Sequence, residues 1–276
     1  MEAELAKDSK ENTETSFKTL AKSGRVIKYE HPLNERYRSF LRLEHLFNLI
    51  DHHLGWESPE NSHTAIRALL DVISVVGRTD IKTEAVKELD RIASRLSALA
   101  SSPGIELARL DDILVSVKAC STELRNIAGP IDSALKDEDL LKVLQQRNSI
   151  PGSMCDFDLP AFRYWLNQAP GRRLDEIRQW MKPFRPLRNA IDVALELVRA
   201  STNYERQVAE DGIYKQSLDP KHPFQLILVT LPANSSYYAE FSGSKHRFTV
   251  RFLDATLKHP AQTTESVEFD LSCCRL

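Results

Sequence analysis

The segment 245–252, KHRFTVRF, contains the residue types best suited to holding an anionic ligand. If it forms a β-strand, its apolar residues face a core, and Lys245, Arg247 and Arg251 share the opposite face. The two arginines then lie roughly 13 Å apart at about 3.3 Å per residue, far enough to contact separate points of an extended ligand. His246 adds a further polar group beside them. The pattern predicts a basic binding surface.

A solvated face of an antiparallel strand is the simpler interpretation of the same pattern. Lysine and arginine side chains also protect sheet edges from association with other sheets. However, the sequence has no acid between Glu240 and Asp254. A local basic patch therefore remains a candidate ligand site.

Asp156 and Asp158 resemble the DxD pair of metal-dependent transferases. On a strand both carboxylates would share one face and could chelate a metal ion. No supporting carboxylate accompanies them, so a polar strand face is the simpler interpretation. Together with His246, they are the best candidates for catalytic residues if the protein is an enzyme that acts on a small molecule in a cleft between two domains. No glycine-rich phosphate loop, nucleophile elbow or HExxH motif supports that activity. The sequence indicates no catalytic residue, cofactor or metal site.

Arg172 and Arg173 open a predicted helix, where their positive charge opposes the helix dipole. Because this position is mildly unfavourable for a cation, one interpretation is that the two arginines are there to contact another group. Ordinary surface charge is the other.

Composition narrows the class of protein. The 276 residues are 42% hydrophobic and 28% charged, as in a soluble globular protein, and the net charge is −2. That balance argues against a general binder of nucleic acid, which needs a surplus of positive charge.

The four cysteines are expected to be reduced thiols. With no signal peptide and no apolar run of about 18 residues, we expect a cytoplasmic protein without membrane insertion.

Hydrophobic spacing predicts helices in the first part of the chain and strands in the last part. The fold class is thus α+β, with a helical bundle followed by an antiparallel sandwich-like or barrel-like β domain. Asn34 and Asp80 are predicted to cap helices. The predicted helices cover about residues 34–54, 62–76, 80–100, 107–127, 137–146, 174–181 and 187–200. The predicted strands cover residues 25–30, 155–159, 224–231, 237–241, 247–253 and 266–274, with a loop at 242–246.

Three regions follow from these patterns. Residues 1–24 mix charges with few large apolar residues and predict a flexible tail. Residues 25–203 are mainly helical, although the strands at 25–30 and 155–159 could join the β domain. Residues 204–276 form the antiparallel β domain.

Several short segments form a pattern that extends over residues 28–274. The segments are 29–35 (YEHPLNE), 41–44 (LRLE), 87–91 (KELDR), 146–152 (QRNSIPG), 157–160 (FDLP), Trp165-Leu166, 242–252 (SGSKHRFTVRF) and 269–274 (FDLSCC). No single segment is diagnostic, but in their order and spacing they together resemble the ZapD family.

The resemblance implies a non-enzymatic cell division factor at the mid-cell division site. Its helical domain would form a homodimer, and its β domain would bind the C-terminal tail of the tubulin-like protein FtsZ. Such a dimer would cross-link FtsZ filaments and promote Z-ring assembly. Arg247 and Arg251 match the two arginines of the family's tail pocket, and Arg78 matches another basic position. A further basic position of the family falls on Asp139 here.

An alternative is a single-stranded nucleic-acid-binding protein that uses the basic strand face. This activity requires aromatic side chains interleaved with the cations on the exposed face. The alternation instead places Phe248 and Phe252 opposite the arginines, which disfavours this alternative.

Overall fold

The computed structural model describes residues 25–100, 106–148, 150, 152, 154–155, 157–221 and 223–276. The tail predicted over residues 1–24 lies outside this range. The fold class is α+β, as predicted: helices occupy most of the first part of the chain, and antiparallel sheets follow. No helix in the described part of the chain has both the length and the apolarity that a membrane span requires.

The bounds of most helices lie close to those predicted, whereas the helix Pro160–Leu166 is not among the helices predicted with bounds. Two short 3-10 helices, Ile131–Leu135 and Lys182–Phe184, lie between them. The α-helices are α1 (Glu35–Leu54), α2 (Pro59–Arg78), α3 (Ile81–Leu99), α4 (Leu107–Asn126), α5 (Asp139–Arg147), α6 (Pro160–Leu166), α7 (Pro170–Met181) and α8 (Arg185–Ala200).

Both predicted helix caps are confirmed. Asn34 Oδ1 accepts a hydrogen bond from the Tyr37 backbone N–H at 3.0 Å, so α1 begins where the sequence indicates. Asp80 Oδ1 accepts from the Thr83 N–H at 3.2 Å at the start of α3. These bonds satisfy backbone donors that have no partner inside the helix.

The strand predicted over residues 155–159 is wrong. Among its described residues, Cys155 lies in a bend, while Phe157 and Asp158 lie in a turn. The backbone N–H groups of Asp158 and Leu159 both donate to the Cys155 carbonyl, at 3.2 Å each. Pro160 follows as the first residue of α6, where its missing N–H costs nothing. The proline therefore starts a helix instead of closing a strand.

The strands form two antiparallel sheets within the described residues. The first sheet has the order β1-β4-β7-β2, and the second has the order β3-β6-β5. The strands are β1 (Val26–Pro32), β2 (Glu205–Ala209), β3 (Ile213–Ser217), β4 (Leu226–Pro232), β5 (Tyr237–Ser244), β6 (Arg247–Asp254) and β7 (Val267–Cys274).

The two sheets bury one apolar core between them, as in a sandwich. It joins side chains of β4 and β7 from the first sheet to side chains of β6 from the second. The central members are Ile227, Val229, Leu231, Phe248, Val250, Phe252, Val267, Phe269 and Leu271. Because β6 contributes every second residue to this core, its remaining residues face outwards.

The chain divides into two compact units. Ser39–Glu196 forms the helical unit. The β unit combines Leu197–Leu276 with the described residues up to Arg38, and β1 pairs there with β4. The candidate site described below lies within the β unit.

Candidate functional site

The β6 strand separates its apolar and basic residues as its alternation predicts. Phe248, Val250 and Phe252 are only 2%, 0% and 0% exposed, whereas Arg247 and Arg251 are exposed. Burial of three large apolar side chains stabilises this orientation by several kcal/mol, about 1.5–3 kcal/mol for each side chain. The arginines are therefore held on the outer face of the second sheet.

Strand register determines the neighbours of these arginines. On β3, Ser217, Lys215 and Ile213 pair with Arg247, Thr249 and Arg251, in that order. On β5, the same three β6 residues pair with Ser244, Ser242 and Glu240. Lys215 thus lies opposite Thr249, between the two arginines in register. We call the outward-facing side of β3, β6 and β5 the basic face.

One end of the basic face is an open depression of about 620 Å³. Gly243 forms part of its wall, and a Cβ atom there would lie only 2.8 Å from the Phe248 Cβ. The close approach of β5 to β6 therefore depends on this glycine. The lining combines two cations with several hydroxyl groups, and its residues are Lys215, Gln216, Ser217, Ser242, Gly243, Ser244, Arg247, Phe248 and Thr249.

Lys245 and His246 lie in the turn between β5 and β6, not on a strand. Both are exposed, and the His246 carbonyl accepts a hydrogen bond from the Leu218 N–H at 2.8 Å. The sequence predicts a loop over 242–246, but β5 continues to Ser244, so the turn contains only two residues. Because Lys245 precedes β6, the alternation of that strand does not determine on which face of the sheet the Lys245 side chain lies.

Arg251 forms an ion pair with Glu240 on the neighbouring strand. Its Nη2 lies 3.3 Å from Glu240 Oε2, and the two side chains are 51% and 46% exposed. The segment between Glu240 and Asp254 contains no acid, but Glu240 itself neutralises the charge of Arg251. Arg247 has no carboxylate within 4.0 Å among the described residues.

Inside the sandwich, the β1 strand contacts β5 through two aromatic rings. His31 stacks on Phe241, with ring centroids 5.3 Å apart and an interplanar angle of 9°. Its Nε2 is buried and has no hydrogen-bond partner among the described residues. Burial, and next the charge of Arg38, lower the pKa of His31 below its ordinary value. A neutral imidazole therefore packs behind the β5 strand of the basic face.

Arg78 ends α2 and belongs to the helical unit. It borders another open depression, of about 670 Å³, with Asp80, Lys82, Asp132 and Lys136 in the lining. Both charge signs are present there.

Asp139 is the first residue of α5 and contacts Lys142, with 3.2 Å between Asp139 Oδ1 and Lys142 Nζ. An acid at this position is favourable at a helix N-terminus. The charge of Asp139 therefore suits the start of α5, where a basic residue would be mildly unfavourable.

The paired arginines at the start of α7 differ from each other. Arg172 is exposed, and its Nε lies 3.0 Å from Glu176 Oε1. Arg173 is only 3% exposed and donates to Ser62 Oγ at 3.1 Å and to the carbonyls of Glu57 and Gln168. The interpretation of both residues as surface charge is wrong for Arg173, which instead joins α7 to the segment before α2 and to α2 itself.

The structure gives little support to the nucleic-acid-binding alternative or to a metal site at Asp156 and Asp158. Phe248 and Phe252 are buried, so neither offers a ring face to a base. Asp156 lies outside the described residues, and Asp158 Oδ2 accepts from the Cys155 thiol at 3.4 Å. Within the described part of the chain, no three His, Cys, Asp or Glu side chains are grouped to hold a metal ion.

Sequence reasoning missed Lys215 and Glu240. Glu240 could have been found from the turn, because a two-residue turn at 245–246 sets Ser244 opposite Arg247 and hence Glu240 opposite Arg251. The longer loop predicted over 242–246 implies a different register. No comparable local signal indicates Lys215, because Lys215 pairs with Thr249 of β6 across more than 30 residues of chain.

The chain is similar to known proteins of one family. A family model described as "ZapD: Cell division protein" matches residues 41–251. "Cell division protein ZapD" of Aromatoleum aromaticum is 36% identical over 252 residues, covering 91% of this chain and 98% of the relative. The protein of the same name from Methylococcus capsulatus is 37% identical over 251 residues, with the same coverage. That of an Enterobacter species is 33% identical over 249 residues, 90% of this chain and 98% of the relative.

Proposed function

Because the chain belongs to the ZapD family of cell division proteins, we propose that it binds the C-terminal tail of FtsZ through its basic face and cross-links FtsZ filaments. In this role it acts as a cytoplasmic homodimer at the mid-cell division site and promotes assembly of the Z ring. No chemical turnover is required, so the proposed role is that of an interaction protein and not of an enzyme.

The basic face is the observation that carries this proposal. Arg247 and Arg251 project from the same side of β6, and Arg247 lines a depression open to solvent. Their separation of roughly 13 Å along the strand suits an extended peptide that offers more than one polar group. The buried side of the same strand keeps both guanidinium groups directed outwards.

Charge alone does not account for useful affinity. A hydrogen bond to a charged group contributes about 1.5–3 kcal/mol, and less when the pair is exposed. Micromolar binding requires about 8 kcal/mol, so apolar contacts must contribute as well. Ile213, Tyr238 and Leu253 lie on the basic face and are half-buried. They offer an apolar surface close to Arg251.

Cross-linking requires two such faces in one particle. A homodimer supplies two faces, and a filament supplies many tails. Once one tail is bound, the next contact occurs at a high effective concentration, which raises the overall avidity about 10²–10⁴-fold without new contacts. Individually weak binding is therefore compatible with stable filament bundles.

Co-sedimentation with FtsZ polymers tests the proposal. The double variant Arg247→Glu/Arg251→Glu should lose co-sedimentation at physiological salt while it retains its circular dichroism spectrum and elution volume. The matched control is Lys28→Glu/Lys258→Glu, which makes the same charge change at two exposed positions outside β3, β5 and β6. The control should sediment like the unmodified protein. Undiminished binding by the arginine double variant, or undiminished capture of FtsZ lacking its tail, would refute the proposal.

A further inference from the structure

The basic face carries three cations arranged around Thr249. Arg247 and Arg251 lie two residues before and after it on β6, and Lys215 lies opposite it on β3. Diagonal neighbours on adjacent strands are about 7–8 Å apart, whereas the two arginines are roughly 13 Å apart along their own strand. Lys215 is therefore a diagonal neighbour of both arginines, and it is closer to each of them than they are to one another.

The three cations differ in the partners they already have. Arg251 pairs with Glu240, which faces it directly across the β5–β6 ladder. Neither Lys215 nor Arg247 has a carboxylate within 4.0 Å among the described residues. An incoming acid thus meets two cations without an ionic partner at one end of the face and a neutralised cation at the other end.

The depression lies at the end with the two unneutralised cations. Lys215 and Arg247 line it, and Arg251 does not. Hydroxyl groups of Ser217, Ser242 and Ser244 surround the same space. A hydroxyl donates one hydrogen bond, so a carboxylate placed there finds neutral donors in addition to the two positive charges.

We propose that Lys215 and Arg247 together bind a carboxylate of the peptide ligand in this depression, and that Lys215 contributes more to acid recognition than Arg251 does. This inference rests on the proposed function and adds a binding residue to it. The ligand's acid lies at the Ser217–Ser244 end of the face, and its apolar residues extend towards Ile213 and Leu253.

Fluorescence anisotropy with a labelled FtsZ tail peptide tests the assignment. Lys215→Met should weaken binding about three- to tenfold, as expected for loss of a partly exposed charge-assisted contact. Arg251→Met should weaken it by less than Lys215→Met does. Lys28→Met, at an exposed position of the first sheet, should have no effect. A second peptide, with its acids replaced by the corresponding amides, should bind unmodified protein and Lys215→Met equally.

The outcomes separate this inference from the proposed function. If Lys215→Met binds the acidic peptide like the unmodified protein while Arg247→Glu/Arg251→Glu does not bind it, the assignment of Lys215 is wrong and the proposed function stands. A loss for Lys215→Met that persists with the amide peptide would also overturn the assignment. If the unmodified protein binds neither peptide, both the inference and the proposed function fall.

Discussion

Arg251 faces Glu240 directly across the β5–β6 ladder, with 3.3 Å between Arg251 Nη2 and Glu240 Oε2. The two side chains are about half exposed, so the pair contributes at most about 1 kcal/mol to stability. Its larger consequence is for binding, because Glu240 competes with any acidic group that approaches Arg251. The two arginines that look equivalent in the sequence thus have different electrostatic surroundings.

Removing the charge of Glu240 should strengthen binding of an acidic tail peptide. The expected gain for Glu240→Gln is about threefold, since an exposed ion pair is weak and its release frees one cation. The affinity should also fall more steeply with added salt, which titrations at several salt concentrations would measure.

The control for this change is Glu268→Gln, which removes a comparable acid from the first sheet. Glu268 Oε2 lies 2.8 Å from Arg206 Nη2, in another exposed pair between neighbouring strands. This variant should leave peptide affinity unchanged. Equal gains for both variants would show that overall charge, and not the neighbour of Arg251, controls the affinity.

Arg173 should be important for stability, in contrast to its neighbour in sequence. The variant Arg173→Met leaves the buried Ser62 hydroxyl and the carbonyls of Glu57 and Gln168 without their donor. We expect the free energy of unfolding to fall by about 3 kcal/mol, the cost of several unsatisfied buried groups. Urea denaturation measures this loss.

Arg172→Met is the matched control, because the exposed pair of Arg172 with Glu176 contributes about 0–1 kcal/mol. A similar loss of stability in both variants would mean that the buried contacts of Arg173 contribute no more than an exposed pair.

Stability should fall in mild acid because of His31. Burial and the charge of Arg38 lower the pKa of His31 in the folded protein, while the unfolded chain takes up the proton near its ordinary pKa of 6.5. Between these two pKa values the unfolded state binds more protons, so the free energy of unfolding decreases as the pH falls below 6.5. The loss stops growing once the pH is below the pKa of the folded state.

The variant His31→Phe isolates this contribution, because it keeps a ring stacked on Phe241 and removes the titrating group. Between pH 7.5 and 5.5, it should lose less stability than the unmodified protein in urea denaturation. The exposed His259→Phe serves as the control and should behave like the unmodified protein. An acid-induced loss in His31→Phe as large as that of the unmodified protein would contradict the assignment.

Cys273 and Cys274 should be unreactive thiols in the folded protein. Burial raises the pKa of Cys273 to about 12 and that of Cys274 to about 11. Because the thiolate is the reactive form, modification by an aromatic disulfide reagent at pH 8 should be at least about tenfold slower than in urea. The variant Cys120→Ser/Cys155→Ser leaves only these two thiols for the measurement. Rapid modification of both thiols in the folded variant would show that β7 opens readily.

Much of the secondary structure could be predicted because its signals are local. The caps at Asn34 and Asp80 act on backbone groups three residues away, and both are confirmed. The alternation along β6 likewise lies within one strand, so the outward placement of Arg247 and Arg251 needed no knowledge of the fold. Local signals also misled: residues 155–159 alternate like a strand, but the described part of this segment forms turns before α6.

The sequence by itself determined the fold class, most of the helices and the two faces of β6, because spacing along the chain decides which side chains share a side. Only the tertiary structure decided that Lys215 lies beside the arginines. Lys215 reaches β6 through strand register, and Arg173 is buried through contacts with Glu57 and Ser62, more than 100 positions away in the chain. Such contacts depend on how distant segments pack together, and no periodicity within a single segment records that packing.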